Sequence, residues 1–250
     1  MDKNIAIEVK ELSKRYRNTE TLAINHLSLE VESGEIFGLL GPNGAGKTTI
    51  ISVLCNFITA TSGEVMINGI NLKSDADNIK KIIGVVPQEI ALFPNLTAYE
   101  NLRFFGNMYG LKGNILKEKI IQLIKTFGLA NKAHQKIHTY SGGMKRRMNL
   151  IAGILHSPEI LFLDEPTVGI DVQSRAVIIE YLKKLNELGT TIVYTSHHME
   201  EAEKFCTKIA IIDMGKIIIE GSPAGLLRKY SNCYNLEDVF LEITGRSLRD

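Results

Sequence analysis

No property of this sequence suits a secreted, disulfide-stapled or membrane-spanning protein. Its 250 residues hold three cysteines, Cys55, Cys206 and Cys233, odd in number and so widely spaced that they form neither a disulfide framework nor a C-x-x-C metal pair. No apolar run reaches the roughly 20 residues that cross a bilayer, and Met1-Asp2-Lys3-Asn4 is too polar to begin a secretory signal. Positive charge is not in surplus either. With 29 Lys and Arg against 28 Asp and Glu, the formal net charge is +1, so the basic excess of a nucleic-acid binder is missing and no nucleic-acid partner is expected. What remains, at 44% hydrophobic and 23% charged, is an ordinary globular composition that can bury a large core. The expectation is a cytosolic chain of one domain with an inserted part.

The run Gly41-Pro42-Asn43-Gly44-Ala45-Gly46-Lys47-Thr48-Thr49 fits G-x-x-x-x-G-K-[ST], the pattern of a phosphate loop. Glu35–Leu40 before it reads as a buried strand and Thr48–Phe57 continues as a helix, so the loop offers backbone N–H groups at a helix N-terminus, where an anion is favoured. Glycine serves twice there, by taking positive φ and by letting the backbone approach phosphate oxygens. Lys47 is expected to reach the β- and γ-phosphates of a nucleoside triphosphate, and the Thr48 hydroxyl to ligate Mg²⁺. Four fixed positions arise by accident in roughly one chain in a hundred of this length, before the flanking strand and helix are counted.

Two pattern changes divide the chain. Residues up to about 40 are rich in β-type segments, Ile5–Lys10, Leu22–Val31 and Glu35–Leu40, followed by Val65–Gly69 and by Ile82–Val86, which Pro87 stops. From about 95 to 155 the signal is helical, with Leu116, Ile120, Leu123, Ile124 and Phe127 on one face. Then strands and helices alternate: Ile160–Leu163, a helix Ser174–Leu188 ended by Gly189, Thr191–Thr195, Ile209–Ile212 and Ile217–Ile219. Alternation predicts an α/β fold whose sheet is mostly parallel, with an antiparallel N-terminal part and an inserted helical subdomain. The expected divisions are 1–94, 95–155, 156–225 and a tail 226–250.

Ile160-Leu161-Phe162-Leu163 runs into Asp164-Glu165-Pro166, two carboxylates at a strand's end, where open α/β sheets put their ligand chemistry. Alone, that pair reads as an acidic turn. Beside a phosphate loop, Asp164 suits a second Mg²⁺ contact and Glu165 a general base that polarises water, a role worth roughly 10²–10⁴ in rate. Tyr140-Ser141-Gly142-Gly143-Met144 then precedes helix-compatible residues up to Leu155. Ser141 is a natural N-cap and the glycines leave N–H groups open, which makes a second anion site built differently from the first.

Together these three elements make the chain resemble, over nearly its whole length, the ATP-binding subunit of an ABC transporter. The resemblance implies further assignments. Tyr16 is similar to the aromatic that stacks on adenine, Gln88 to the glutamine that senses Mg²⁺ or the lytic water, Asp171 to the aspartate at the dimer seam, and His197, rather than His198, to the histidine that contacts the γ-phosphate. It also implies a head-to-tail pair, with Ser141, Gly142 and Gly143 of one chain closing over ATP held by Lys47 and Thr48 of the other, and an integral membrane subunit on whose cytoplasmic face the pair works. Asn95–Leu102, the Tyr-Ser-Gly-Gly-Met variant and Leu236–Leu241 look like the multidrug, antibiotic or lipid export type. Tyr140 and Met144 depart from the family's leucine and glutamine, and Val168-Gly169-Ile170 from its Ser-Ala-Leu. These departures bear on rate and subgroup.

A GTPase switch would share the loop, yet no Asn-Lys-x-Asp occurs, since Asn131-Lys132-Ala133 is followed by His134. A soluble ABC-type clamp on DNA or ribosomes would be expected to carry coiled-coil insertions or tandem cassettes, and an importer subunit a long C-terminal extension. Two local features stand out. Lys145, Arg146 and Arg147 oppose the macrodipole of the helix they open, at some tenths of a kcal/mol each, which suits solvated side chains or, for one of them, a partner's nucleotide. Residues 89–112 hold Phe93, Tyr99, Phe104, Phe105 and Tyr109, although nine Phe and eight Tyr in the chain predict between one and two. An exposed share of that surplus would form an apolar groove for a short helix of the membrane subunit.

Overall fold

Alternating burial makes Ile5–Arg15 (β1) and Leu22–Glu32 (β2) half-buried strands. The computed structural model, which describes residues 4–17 and 19–245, pairs them antiparallel. The polar start Met1-Asp2-Lys3 and the last five residues of the 226–250 tail lie outside the described residues. β1 runs on past Lys10 because Glu11 takes φ +47° and the register shifts between Val9 and Leu12, a bulge that returns Leu12 to the buried face. Ile36–Leu40 (β3) leads into helix Lys47–Leu54 (α1). Ser62–Ile67 (β4) and Ile70–Asn71 (β5) complete a four-stranded sheet of order β2-β1-β4-β5.

Ala76–Ile82 (α2), capped by Asp75, takes Ile82 out of the strand predicted there, which starts one residue later as Ile83–Val86 (β6). Between β6 and the next strand lie Ala98–Met108 (α3), Gly113–Thr126 (α4) and Gly142–Ile154 (α5). Thr97 and Glu100 close a reciprocal capping box on α3, and Leu116, Ile120, Leu123, Ile124 and Phe127 are all buried along α4. Ile160–Asp164 (β7), Val172–Glu187 (α6), Thr191–Ser196 (β8), Met199–Phe205 (α7), Lys208–Asp213 (β9), Lys216–Gly221 (β10), Pro223–Lys229 (α8) and Leu236–Thr244 (α9) follow. The second sheet has six strands in the order β10-β9-β3-β8-β7-β6, parallel except for the β9–β10 hairpin.

β3 and β7 are buried at every position because the sheet is covered on both faces. Their alternate residues feed different cores. Ile36, Leu40, Leu161 and Leu163 face the helices, whereas Phe37, Leu39, Ile160 and Phe162 face α1 and the antiparallel sheet. α5 is joined to β6 almost backbone to backbone. A Cβ on Gly153 would stand 2.6 Å from Val86 Cγ2 and 2.9 Å from the Val85 carbonyl, and one on Gly84 2.3 Å from the Gly153 carbonyl. Substituting Gly153→Ala is therefore expected to cost about 1–3 kcal/mol by overpacking, read as a lower urea midpoint at unchanged m-value.

Candidate functional site

β3 ends at Leu40 and α1 begins at Lys47, so the loop between them spans a strand's carboxyl end and a helix's start. Gly46 stands at the N-cap with φ +109° and no side-chain cap, which leaves the first helical N–H groups to an anion. A Cβ there would lie 2.5 Å from the Ala23 carbonyl, and one on Gly41 2.2 Å from that of Ile212, so both glycines are required by neighbouring backbone as well. Gly44, at φ +80°, faces open space. Asn43, Gly44, Gly46, Lys47, Thr48 and Thr49 line a cleft of about 270 Å³ together with Ala23, Gln88 and Glu165.

Three neighbouring parallel strands deliver the chemistry to that cleft. Gln88 lies just beyond β6, Asp164 and Glu165 at the end of β7, and His197 just beyond β8; the register sets Asp164 against Thr195. Glu165 has φ +48°, and its N–H donates to Thr195 Oγ1 at 3.0 Å. The same hydroxyl donates to Asp164 Oδ1 at 2.7 Å. Gln88 Nε2 donates to Glu165 Oε2 at 3.2 Å, and His197 Nδ1 is 3.1 Å from Glu165 Oε1. Lys47 Nζ is 3.6 Å from that oxygen and donates to the carbonyls of Gly41 at 2.8 Å and Pro42 at 3.1 Å. Lys47 and Glu165 are each 5% exposed. Burial pulls the Lys47 ammonium below its usual range, and Glu165 opposes that shift. Tyr16 OH lies 3.2 Å from Thr49 Oγ1, and Lys14 Nζ is 5.5 Å from the centre of the Tyr16 ring.

Ser141, Gly142, Gly143 and Asp171 stand apart from the cleft. Ser141 caps α5, accepting from Met144 N at 3.3 Å, and both it and Gly142 are exposed. Gly143 is buried against the cap of α6, where a Cβ would meet Ser174 Oγ at 2.4 Å and Asp171 Oδ2 at 3.0 Å. Asp171 accepts from Ser174 N and from Ser174 Oγ, each at 2.8 Å, and these bonds hold its carboxyl below the ordinary range. The loop before α1 and the serine–glycine turn before α5 thus open at separate places on one chain.

The basic triplet is not simply a solvated face. Arg146 donates to the Gln88 carbonyl, and Arg147 to the carbonyls of Gly143 at 3.4 Å and Phe127 at 2.8 Å. Arg147 so meets the C-cap residue of α4, where a cation is favoured, which offsets its adverse place at the start of α5. Asn149, unremarked in the sequence, accepts from Ala91 N at 3.0 Å and donates to the carbonyls of Pro87 at 3.1 Å and Glu89 at 3.3 Å. α5 therefore grips the strip that bears Gln88. The signal for Asn149 was an amide inside the apolar run Met148 to Ile151.

Of the five aromatics, Phe93, Phe104 and Tyr109 are exposed while Tyr99 and Phe105 are half-buried. Phe105, Met108, Tyr109, Pro87, Ala91 and His156 line an apolar groove of about 850 Å³, with Lys80 and Lys81 also on its wall. His156 stacks on Tyr109 with ring centres 3.6 Å apart, and burial keeps its imidazole toward the neutral form.

Residues 24–168 match the family model described as ABC transporter. The chain is 46% identical over 220 residues to the linearmycin resistance ATP-binding protein LnrL of Bacillus subtilis, covering 88% of this chain and 70% of that one. It is 38% identical over 227 residues to the Nod factor export ATP-binding protein I of Cupriavidus pinatubonensis, covering 91% and 69%. Against the probable multidrug ABC transporter ATP-binding protein YbhF of Escherichia coli the identity is 39% over 226 residues, 90% of this chain but 39% of that protein. Among solved structures, an ATP-binding subunit of an ABC transporter superposes with a TM-score of 0.87 at 25% identity, covering 96% of this chain and 99% of the other. The dimeric post-hydrolysis state of the ATP-binding cassette MJ0796 bound to ADP and Pi gives 0.80 at 28% identity, covering 86% and 98%.

Thr195 holds both the Glu165 amide and the Asp164 carboxylate, so Thr195→Val leaves two buried polar groups short of a partner. The expected loss is about 1–3 kcal/mol, measured by urea unfolding of the nucleotide-free chain.

Proposed function

This chain belongs to the ABC transporter family and is an ATP hydrolase, and on that premise we propose that two copies, or this chain and a homologous ATPase subunit, act head to tail to drive export through a separate membrane subunit. The observation that carries this reading is the separation just described. Lys47 and Glu165 share one cleft, while the open amides around Ser141 and Gly142 lie elsewhere. A self-complementary pair brings each serine–glycine turn over the partner's cleft, makes two equal sites and closes on itself. The dimeric MJ0796 cassette is a structural neighbour that supports such a pairing.

In this reading the loop amides and the Lys47 ammonium bind the β- and γ-phosphates, and Tyr16 stacks on the adenine. Thr48 and Asp164 offer the oxygen donors that suit Mg²⁺. Among the described residues no three His, Cys, Asp or Glu side chains form a metal cage, so the phosphate oxygens must complete the set. The ion would neutralise charge on the transferring phosphoryl group. Glu165 polarises the attacking water as general base, Gln88 orients that water, and His197 contacts the γ-phosphate while holding the Glu165 carboxylate. Ser141, Gly142 and Gly143 of the partner bind the same phosphate, with Asp171 at the seam. Losing the γ-phosphate removes the bridge between the halves, and the pair opens.

Export rather than import follows the relatives named for linearmycin resistance and Nod factor export. No helix among the described residues is long and apolar enough to cross a membrane. The chain works on the cytoplasmic face, held there by a membrane subunit whose short helix fills the apolar groove beside Gln88. The divisions 1–94, 95–155, 156–225 and 226–250 correspond on this view to the nucleotide half-core, the subunit-facing helices, the remainder of the core and the tail.

Glu165→Gln is expected to keep ATP binding, lower turnover by roughly 10²–10⁴ and accumulate an ATP-bound dimer in size-exclusion chromatography. Full turnover in that variant would refute the base assignment. Met108→Asp, which puts a charge on the exposed groove wall, is expected to abolish capture of the membrane subunit from detergent extracts while leaving the chain's own ATP turnover within about twofold, since the residue lies outside the cleft.

A further inference from the structure

A buried carboxylate with no part in the mechanism above lies behind the catalytic turn. Glu201 on α7 has a side chain 11% exposed. Its Oε1 accepts from Thr167 Oγ1 at 2.7 Å and from the Tyr194 hydroxyl, and those two hydroxyls are themselves 3.1 Å apart. Its Oε2 lies 3.3 Å from Arg175 Nε, close enough to attract, yet neither atom makes a hydrogen bond and both are buried.

Each partner of Glu201 belongs to a different functional segment. Thr167 lies two residues beyond Glu165, in a turn whose leading residue has positive φ and needs support from outside. Tyr194 neighbours Thr195, which holds Asp164 and Glu165, and precedes His197 by three residues. Arg175 sits one turn into α6, its N–H bonded to the Asp171 carbonyl, next to Val172, which is 79% exposed. An apolar residue could fill the space at position 201 with the two hydroxyls bonding each other, and desolvating a carboxylate there is costly. The charge therefore serves something besides packing.

We infer that Glu201 is a positioning residue of the hydrolytic centre, one carboxylate that ties the Glu165 turn and the His197 strand end to the helix that starts at Asp171. The inference rests on the proposed roles of Glu165 and of Asp171 at the dimer seam. The Arg175–Glu201 pair is close but misaligned, so a small rotation of α6 completes it. A second copy at Asp171, the seam residue of the proposed pair, would act on that same helix, and Thr167 lies in the turn that Glu165 opens. Assembly of the pair and placement of the base are then one event.

The test is a double-mutant cycle on the full chain with Glu201→Gln, Arg175→Gln and both. Glu201→Gln preserves shape and an oxygen for the two hydroxyls while removing the charge. Steady-state ATP turnover, affinity for a fluorescent ATP analogue and thermal midpoint are measured for each. The expected result is a kcat roughly ten- to a hundredfold lower in each single variant, a double variant no slower than the worse single, and KM, nucleotide affinity and midpoint close to those of the unaltered chain. Unchanged kcat, additive losses, or a kcat that falls only in step with midpoint or affinity would overturn the role. Glu165→Gln runs alongside. If that variant is inactive while Glu201→Gln turns over normally, only the positioning role falls; if it hydrolyses ATP at full rate, the reading of the site itself falls.

Discussion

The arrangement depends on how one carboxylate, only 5% exposed, is held and aimed by the groups around it. Glu165 shares a buried pocket with Lys47 and is touched by Gln88 and His197, so cation, amide and imidazole all converge on two oxygens. A lone carboxylate at such burial would be strongly disfavoured. Each of its neighbours arrives at the end of a different parallel strand or at the start of α1, and this convergence is possible only because β6, β7 and β8 lie side by side. The positive φ of Glu165 turns its side chain out of the strand direction, and Thr195, itself bonded to Asp164, holds the backbone in that state. Sheet order and the geometry of Glu165 are thus one constraint.

The surrounding layers secure that order. Because alternate residues of the central strands enter two separate cores, no strand can slip by one position without exchanging Phe37 and Leu39 for Ile36 and Leu40. On the helical side, Gly84 and Gly153 bring α5 against β6, while Asn149 and Arg146 bind the strip containing Gln88. The serine–glycine turn at the start of α5 and the strip bearing Gln88 are therefore joined through the same helix.

Much of the fold was legible in the sequence where the signal was local. The buried strands β3 and β7 were read from the sequence as Glu35–Leu40 and the apolar run Ile160–Leu163, each within a residue of the observed bounds, and the helical face from Leu116 to Phe127 as a period, because burial on one or both faces dictates residue type directly. Tertiary override explains the differences. Ile82 falls to a helix capped by Asp75, and β1 outlasts Lys10 through a bulge that breaks its phase. The phosphate loop and the paired carboxylates were readable as motifs, since each is contiguous. The contacts of Gln88 and His197 with Glu165 depend on strand order, which no local pattern encodes; family likeness singled out the two residues but not these contacts. Asn149 and Thr195 went unnoticed as single polar residues in apolar stretches, and Glu201 as one acid among several in Glu200–Lys204; each discloses its purpose only when its partners are in view.

Lys47 also acts on the loop that precedes it. By donating to the carbonyls of Gly41 and Pro42, the ammonium braces the loop from within. A loop braced in this way has little conformational freedom left to lose, so binding an anion to its amides would carry a small ordering cost. On the proposed reading, phosphate oxygens would take the place of those carbonyls around the lysine, and entry and exit would rearrange little more than a single flexible side chain.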